Sequence, residues 1–369
     1  MEREWNIGIV GFGERGSHFA DVYSKIPGVR VVGVADPVPR LREQAFALYG
    51  CELFEDVEDM VGFANGPIDI LIVATHVPYH FDHVMTGLAR RCQVVCEKPM
   101  ACTLAECDEM IRFANEQWLT LAVHHQSIFS RATTEVKRRI ADREIGDLVR
   151  MAAYGKGRVA CSDLMEIAGH LTHWMRHVSG GEVTEVFGDV TLKGRPVTLE
   201  DVVRIKDIYP EGRDSGWGAG DRMFGYYKFS NGVRTELHLD QVSGAPSTFG
   251  EQRVFGYYVD VFGTRGRLRC YLPRVLYSNA SPLDDRAYNP TEWVEVDASY
   301  REDREPVLSR LLAQDFLAAI EENRKPLVSG EDGRMAMGMT LGIYHSHFAG
   351  RPLPIPDRGH PFGPAFDNR

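Results

Sequence analysis

The first third of the chain alternates short apolar runs with longer segments of mixed character. The runs are too short for helices and predict strands over 6–10, 31–35, 69–74, 93–96 and 119–123. Between them, apolar residues recur at helical spacing and predict helices over 17–25, 39–49, 79–89 and 104–115. Nearly continuous apolar strands are typical of a parallel sheet that is covered on both faces. Repeated strand–helix units of this kind predict a doubly wound sheet.

The pattern changes near residue 124, where we place a domain boundary. Val233, Thr235, Leu237 and Leu239 alternate with polar residues, which predicts a strand with one buried face. Further strands are predicted over 148–153, 185–192, 223–229, 257–262 and 267–272, and further helices over 163–178, 308–323 and 334–348. The sequence therefore predicts a strand–helix domain over 1–123 and a second domain over 124–369 that is richer in antiparallel strands.

The composition narrows the classes of partner. The 369 residues include 42 basic and 52 acidic side chains, a formal net charge of −10, and no long basic stretch. Binding to a phosphate backbone depends on basic charge, so nucleic acids and anionic membranes are poor partners. The seven cysteines match no disulfide framework, which favours reduced thiols and a cytoplasmic protein. We expect no signal peptide before the first strand, and no apolar run is long enough to span a bilayer.

The hexapeptide 11–16, with the sequence GFGERG, lies between the first predicted strand and the first predicted helix. This context, with Asp36 ending the second strand twenty residues later, fits a dinucleotide-binding site. Gly11 would allow a tight turn, Gly13 would let the backbone approach the pyrophosphate, and Gly16 would let helix and strand pack closely. The pyrophosphate would lie at the helix N-terminus, and Asp36 would accept hydrogen bonds from the adenosine ribose.

Motifs spread over nearly the whole chain carry a family resemblance. They are 11–16, Asp36-Pro37, Ala74-Thr75 with His80, 96–100 (CEKPM), 166–173, 262–266, 315–320 and 328–333. Together they resemble the glucose–fructose oxidoreductase/inositol dehydrogenase (Gfo/Idh/MocA) family. The resemblance implies an α/β fold, in which an N-terminal Rossmann domain binds NAD(P) and a C-terminal α+β domain has an open, largely antiparallel sheet. It also implies oxidation or reduction of a carbon–oxygen bond, usually in a sugar, cyclitol or related polyol.

Lys98 follows directly on a predicted parallel strand, at the sheet edge where open α/β sheets place their ligands. Oxidation of an alcohol needs a hydride acceptor, a base for the hydroxyl proton and a group that stabilises the oxygen as charge develops. We assign the last role to Lys98, because an ammonium group there could bind the substrate hydroxyl. Glu97 would position the lysine or contact the nicotinamide ribose.

A second polar cluster lies on the predicted helix 163–178, where Glu166, His170 and His173 are spaced to share one face. We interpret His170 as a general acid or base, because imidazole titrates near neutral pH, and Glu166 as its orienting partner or a substrate contact. His173 stands where the family commonly has Asp and would be a further catalytic or substrate contact. The same residues could instead hold zinc or pack as structural polar groups. We expect no metal, because the spacing is not that of an HExxH helix.

The remaining expected contacts frame the cofactor. The expected cofactor contacts are Gly11, Phe12, Gly13, Glu14, Arg15, Gly16, Asp36, Arg40, Ala74, Thr75, His76, His80, Glu97 and Lys98. The expected substrate contacts are Gln126, Glu166, His170 and His173. Asp36 favours NAD over NADP, because a carboxylate there repels a 2′-phosphate. Arg15 or Arg40 could receive that phosphate if Asp36 turned away, so NADP stays open.

Three functions remain open from the sequence. The leading one is an NAD(P)-dependent dehydrogenase of a sugar, cyclitol or related polyol. A second is an NAD-retaining, glycosidase-like enzyme that oxidises a sugar transiently so that a glycosidic bond can be eliminated. A third is a non-catalytic NAD(P)-binding regulatory protein, which would need no pair such as Lys98 and His170. We expect a small-molecule substrate and a homodimer or homotetramer, because long strands with an apolar face need a cover.

Overall fold

The computed structural model describes most of the chain. The described residues are 4–63, 68–156, 162–205, 214, 216–240, 248–249, 252–253, 257–272, 275–280, 294–296 and 303–355. Within these ranges every helix is too short or too polar to span a bilayer.

The described residues form the following elements. The helices are α1 Glu14–Tyr23, α2 Pro39–Tyr49, α3 Val57–Phe63, α4 His80–Ala89, α5 Leu104–Glu116, α6 Arg131–Ala141, α7 Ser162–Ser179, α8 Glu305–Glu321 and α9 Gly330–Ala349. The first strands are β1 Trp5–Val10, β2 Val29–Ala35, β3 Glu52–Phe54, β4 Ile70–Val73, β5 Gln93–Cys96 and β6 Leu121–Val123. The later strands are β7 Leu148–Lys156, β8 Val183–Leu192, β9 Arg195–Pro196, β10 Val203–Arg204, β11 Trp217–Gly218, β12 Arg222–Phe229, β13 Arg234–Asp240, β14 Thr248–Phe249, β15 Gln252–Arg253, β16 Tyr257–Gly263, β17 Gly266–Tyr271, β18 Val275–Ala280, β19 Val294–Glu295 and β20 Leu353–Pro354.

The chain divides into two compact units. The first comprises Met1–His125 and Glu305–Arg334, together with Asp214 and Gly216. The second unit contains the described residues within 126–212, 217–304 and 335–369. The structure therefore assigns α8 to the first unit, whereas the sequence pattern placed it in the domain 124–369.

The sheet of the first unit is parallel throughout, in the order β3-β2-β1-β4-β5-β6. This confirms the predicted doubly wound sheet, and the order is that of dinucleotide-binding folds. The centre of the sheet is apolar, since Ile7 and Ile9 on β1 and Ile70 and Ile72 on β4 have no exposed surface. Phe316 on α8 is buried in the same core, so a helix from late in the chain stabilises this unit.

The parallel arrangement decides where the sequence motifs lie. Because all strands of this sheet point the same way, the residues that follow each strand are at one edge. This edge receives 11–16 after β1, Asp36 after β2, 74–76 after β4, 97–99 after β5 and His124 after β6. The motifs that are separate in the sequence are therefore side by side in the fold.

The described part of the second unit contains a ten-stranded sheet, in the order β19-β18-β17-β16-β7-β13-β12-β8-β20 with β9 paired to β8. Neighbouring strands are antiparallel, except that β13 and β7 run parallel. The largely antiparallel open sheet that the resemblance implied is therefore present.

One face of this second sheet is apolar and covered. Leu237 and Leu239 on β13 and Met223 on β12 are buried on that face, and α6 and α7 pack against its strands. Helix α9 contributes as well, because the Tyr227 hydroxyl donates to the carbonyl oxygen of Met339 at 3.0 Å. The cover comes from the same chain, so a missing cover no longer argues for an oligomer.

The opposite face of the second sheet carries a row of aromatic side chains across five neighbouring strands. This aromatic row consists of Phe224, His238, Tyr154, Tyr258 and Tyr271. Its successive ring centroids are 5.0, 5.0, 4.9 and 5.3 Å apart. All but Tyr271 are half-buried, so this face is partly open.

Candidate cofactor and active site

The glycine loop 11–16 is held tightly against the end of β4. Gly11 has a φ of +83°, a conformation that residues with a side chain rarely adopt. A Cβ on Gly11 would lie 2.9 Å from the carbonyl carbon and oxygen of Ala74 and from Cγ2 of Thr75. Ala74 and Thr75 are half-buried and therefore border this turn.

The other two glycines of the loop have opposite surroundings. A Cβ on Gly16 would lie 1.8 Å from the carbonyl oxygen of Gly11, so only glycine lets α1 pack this closely. A Cβ on Gly13 would meet nothing within 4 Å, so space is open beside the backbone there. Gly13 is also the N-cap of α1, and no side chain caps that helix, which begins at the exposed Glu14. An uncapped helix N-terminus beside open space fits the pyrophosphate of a dinucleotide.

Asp36 is buried at the end of β2 and its carboxylate is fixed by the backbone. Oδ2 accepts from the N–H of Phe12 at 2.7 Å, and Oδ1 accepts from the N–H of Val38 at 2.8 Å. The ring of Phe12 lies in the core, so Phe12 contributes its backbone N–H to this site. Each carboxylate oxygen keeps a second lone pair, which fits a ribose hydroxyl donor.

The basic residues near Asp36 differ from the predicted ones. Arg40 is exposed, and Arg42, which the sequence reasoning missed, donates to the carbonyl oxygen of Asp36 at 2.6 Å and to Glu55 at 3.2 Å. The position of Arg42 on α2, six residues after Asp36, was the feature of the sequence that could have indicated this contact. The side chain of Arg15 lies elsewhere, because it pairs with Glu97, which follows β5. In the sheet, β5 is three strand spacings, or about 14 Å, from β2.

Glu97 is buried, with 4% of its surface exposed. Its Oε1 accepts from Nε of Arg15 at 2.5 Å, and its Oε2 accepts from the backbone N–H of Lys98 at 2.6 Å. Burial by itself raises the pKa of this carboxyl group, but the Arg15 guanidinium outweighs burial and holds the pKa of Glu97 well below its usual range. Glu97 is therefore an anion at neutral pH, beside the half-buried Lys98.

His80 lies beneath the loops that follow β4 and β5. It is 1% exposed, and its ring nitrogens lie 2.9 Å from the carbonyl oxygen of Pro99 and 3.0 Å from that of Thr75. The peptide between Lys98 and Pro99 is cis. Burial lowers the pKa of His80, although both carbonyl oxygens favour its charged form. His80 therefore joins the two loops, while its neighbour His76 is exposed.

The second predicted cluster lies on α7 of the second unit. Glu166 is within the helix, but its side chain is outside the described residues. His170 is partly exposed and lies parallel to the ring of Tyr257, with centroids 6.4 Å apart. His173 is 3% exposed and 6.5 Å from the ring of His177. The partly exposed His170 is thus better placed than His173 to reach a small molecule.

Two further predictions concern Gln126 and a metal. Gln126 begins a short 3-10 turn, Gln126–Phe129, at the start of the second unit. Among the described residues, no group of three or more His, Cys, Asp or Glu side chains is arranged to hold a metal ion. The zinc alternative on α7 includes the Glu166 side chain, which lies outside the described residues.

Comparison with known proteins gives relatives of full length. The chain is 22% identical over 343 residues to myo-inositol 2-dehydrogenase from Thermotoga maritima, covering 90% of this chain and 92% of that protein. It is also 22% identical over 370 residues to 2,7-anhydro-N-acetylneuraminate hydratase from Mediterraneibacter gnavus, covering 94% and 96%. Among solved structures, levoglucosan dehydrogenase in complex with NADH and L-sorbose has a TM-score of 0.76 and 17% identity, covering 96% of this chain and 100% of that one.

The match to a family rests on the first unit. The oxidoreductase family with an NAD-binding Rossmann fold matches residues 5–125, which include the glycine loop, Asp36 and Lys98. The open space at Gly13 and the two fixed oxygens of Asp36 fit the pyrophosphate and ribose of that cofactor. Residues 5–125 are therefore an NAD-binding Rossmann domain of the Gfo/Idh/MocA oxidoreductase type, for which the cofactor is NAD.

Proposed function

We propose that the protein is an NAD(H)-dependent dehydrogenase that acts on a CH–OH group of a sugar, cyclitol or related polyol. The observation that carries this proposal is the position of Lys98, a half-buried cation at the same sheet edge as the glycine loop. A regulatory NAD-binding protein has no need of a cation there. Similarity to a myo-inositol 2-dehydrogenase supports the class of substrate.

The first unit supplies the proposed cofactor contacts. The loop 11–16 and the N-terminus of α1 hold the pyrophosphate, and Asp36 accepts from the adenosine ribose, which favours NAD over NADP. Residues 74–76 border the nicotinamide side, and His80 supports them from below. When bound, NAD supplies the hydride acceptor of the reaction.

Lys98 binds the substrate hydroxyl and stabilises its oxygen as negative charge develops. His170 takes or returns the hydroxyl proton, a role for which imidazole is suited near neutral pH. Glu166, His173 and Gln126 are proposed as contacts to other substrate hydroxyls. If α7 instead bound zinc, activity would be lost on chelation and restored by added zinc, whereas the proposed roles predict no effect of a chelator.

The finer features of location and assembly are also proposals. We place the protein in the cytoplasm as a homodimer or homotetramer. A Rossmann domain over 1–123 binds NAD, and the domain 124–369 binds substrate and forms the oligomer, with α8 returning to the first unit.

A substrate screen tests the proposed function. Free sugars, inositols and sugar acids are incubated with NAD⁺ and NADP⁺ in parallel, and NADH is measured by absorbance. The proposal predicts stoichiometric NADH formation with at least one polyol and a preference for NAD⁺. No turnover by a protein that binds NADH would contradict it and favour a regulatory role.

The NAD-retaining alternative gives a different result in the same screen. The similarity to a 2,7-anhydro-N-acetylneuraminate hydratase makes anhydro sugars and glycosides the substrates to add. Product formation without net NADH would contradict the dehydrogenase proposal and support the NAD-retaining route.

A further inference from the structure

The side chain of Arg15 connects four parts of the first unit. Its Nε donates to Glu97 after β5, and its Nη1 donates to Glu305 at the start of α8, both at 2.5 Å. Its Nη2 lies 3.3 Å from Nδ1 of His124 after β6. On α1 itself, the guanidinium lies over the ring of Phe19, 5.5 Å from the centroid. Arg15 belongs to the glycine loop by sequence, but its side chain contacts protein groups.

The contacts next to Arg15 extend to a buried histidine. Nη2 of Arg15 lies 3.3 Å from Nδ1 of His124, and the same Nδ1 lies 3.6 Å from Oε1 of Glu97. Nε2 of His124 lies 3.1 Å from the hydroxyl of Ser309, which lies 2.9 Å from Nε2 of His18. Within this network Arg15 is the cation that donates a hydrogen bond to Glu97.

Glu97 depends on that cation to stay ionised. Burial opposes its charge, and Arg15 reverses the effect, with smaller contributions from His124 and Lys98. The charged or titratable groups around Glu97 are Arg15 and His18 on α1, His124 after β6, His80 on α4, Cys96 at the end of β5 and Lys98 on its own loop. Glu305 on α8 is the second carboxylate partner of Arg15 and accepts from its Nη1.

The ionised carboxylate in turn holds the loop that carries Lys98, through the hydrogen bond from the Lys98 N–H to Oε2. We propose that Arg15 is a positioning residue for this loop: it fixes Glu97, Glu97 fixes the backbone at Lys98, and Glu305 anchors Arg15 to α8. The inference rests on the proposed function for the role of Lys98. It assigns the Arg15 side chain to the protein instead of to a phosphate of the cofactor.

A thermal-stability cycle tests the Arg15–Glu97 coupling without any substrate. The cycle compares wild type, Arg15→Gln, Glu97→Gln and the double variant between about pH 5 and pH 8. In wild type the folded pKa of Glu97 is depressed, so its stabilising contribution is constant above the unfolded pKa. In Arg15→Gln we expect burial, now opposed only by His124 and Lys98, to raise that folded pKa above the unfolded value, so that stability relative to wild type falls as pH rises.

The cycle has a clear expected result. Arg15→Gln should lower the melting temperature more at the upper end of the pH range than at the lower end. In the Glu97→Gln background, the same Arg15→Gln change should show a smaller pH dependence, and what remains belongs to Glu305 and His18, whose pKa values also respond to Arg15. A pH dependence of the same size with and without Glu97 would overturn the proposal, whatever the outcome of the substrate screen.

Kinetics test the positioning itself, with kcat measured at saturating NAD⁺ and substrate. In Arg15→Gln, kcat should fall by about tenfold per pH unit below the raised pKa of Glu97, as for one titrating group. Wild type and the Arg15→Gln/Glu97→Gln variant should show only the limb of the proposed base His170, without this further limb from Glu97. Arg15→Lys keeps the charge and should also lack the limb from Glu97.

Arg112→Gln is the matched control, because Arg112 on the exposed part of α5 also has two carboxylate partners, Glu109 and Glu116. It should leave both the melting profile and the kcat profile as in wild type. Weaker NADH binding in Arg15→Gln with no acid limb from Glu97 in kcat would overturn the proposal and return Arg15 to a cofactor contact.

Discussion

The carbonyl oxygen of Gly11 lies only 1.8 Å from where a Cβ on Gly16 would have to be. This close approach of α1 to the strand end excludes every side chain at residue 16. We expect Gly16→Ala to lower the free energy of unfolding by about 3 kcal/mol or more, as severe overpacking does. Denaturant titration measures this, and a stability equal to wild type would contradict the packing described here.

Gly13 provides the matched comparison within the same loop. Its Cβ position is empty, and its φ of −69° suits any residue. Gly13→Ala should therefore fold with a change within about 1 kcal/mol. Gly13→Val should also fold but should abolish NADH binding, because its branched side chain fills the space offered to the pyrophosphate. Unchanged NADH affinity in that variant, measured by calorimetry, would contradict the assigned site.

Asp36 has two tasks that different substitutions separate. Asp36→Asn keeps an oxygen acceptor but removes the negative charge, so it should narrow the preference for NAD⁺ over NADP⁺. Asp36→Ala should do the same and also destabilise the protein by about 1–3 kcal/mol, because the N–H groups of Phe12 and Val38 lose their acceptor. A wild-type enzyme that prefers NADP⁺ would contradict the role of this carboxylate.

His80 predicts an acid-sensitive contribution to stability. Burial depresses its folded pKa below the unfolded value of about 6.5. The folded state then binds fewer protons, so this contribution is present above the unfolded pKa and is lost as pH falls through the folded pKa. Between neutral and mildly acidic pH, the melting temperature of His80→Gln should fall by less than that of wild type. His76→Gln, at an exposed neighbour, should match wild type, and an equal acid slope in both variants would refute the assignment.

The partly open face of the second sheet is our candidate for the subunit interface. Phe187 on β8 is 37% exposed. It lies on this face, because it pairs in register with Tyr226, which is two residues from Phe224 of the aromatic row. Light scattering at micromolar concentration should show at least a dimer, and Phe187→Glu should shift it towards monomer. Val149→Glu is the control, since Val149 is 48% exposed but alternates away from Tyr154 on β7. A monomeric wild type would exclude this assembly.

The elements with a clear hydrophobic period could be predicted from the sequence. The bounds of α2 and β5 agree with the predicted 39–49 and 93–96. Strand β3 has only three residues and α3 only seven, too few to show a period. Helix α6 was missed because its sequence is mostly charged and polar, although Ser130 caps its first turn by accepting from Thr133. Helix α1 begins at Glu14, three residues before the predicted start. The sequence pattern placed Gly16 in the loop, whereas in the structure this glycine packs within the helix.

The candidate site could be predicted only where its parts are local. The glycine loop, Asp36 and Lys98 each follow a predicted strand, and the parallel sheet places them at one edge. The contact between Arg15 and Glu305 joins residues 290 positions apart, and no local pattern reveals it. The sequence therefore suggested a phosphate partner for Arg15, whereas the structure pairs it with carboxylates of the same unit.

The most direct test of the account is the effect of Lys98→Met on turnover and on cofactor binding, measured with the same protein and a substrate from the screen. Methionine keeps much of the side-chain volume and removes the charge. We predict a loss in kcat on the order of 10²–10⁴ with little change in the NADH dissociation constant, because the lost interaction belongs to the transition state. Lys25→Met, which removes an exposed pair with Asp21, should leave both quantities as in wild type. A Lys98→Met enzyme with turnover close to wild type would contradict the central claim that Lys98 stabilises the reacting oxygen.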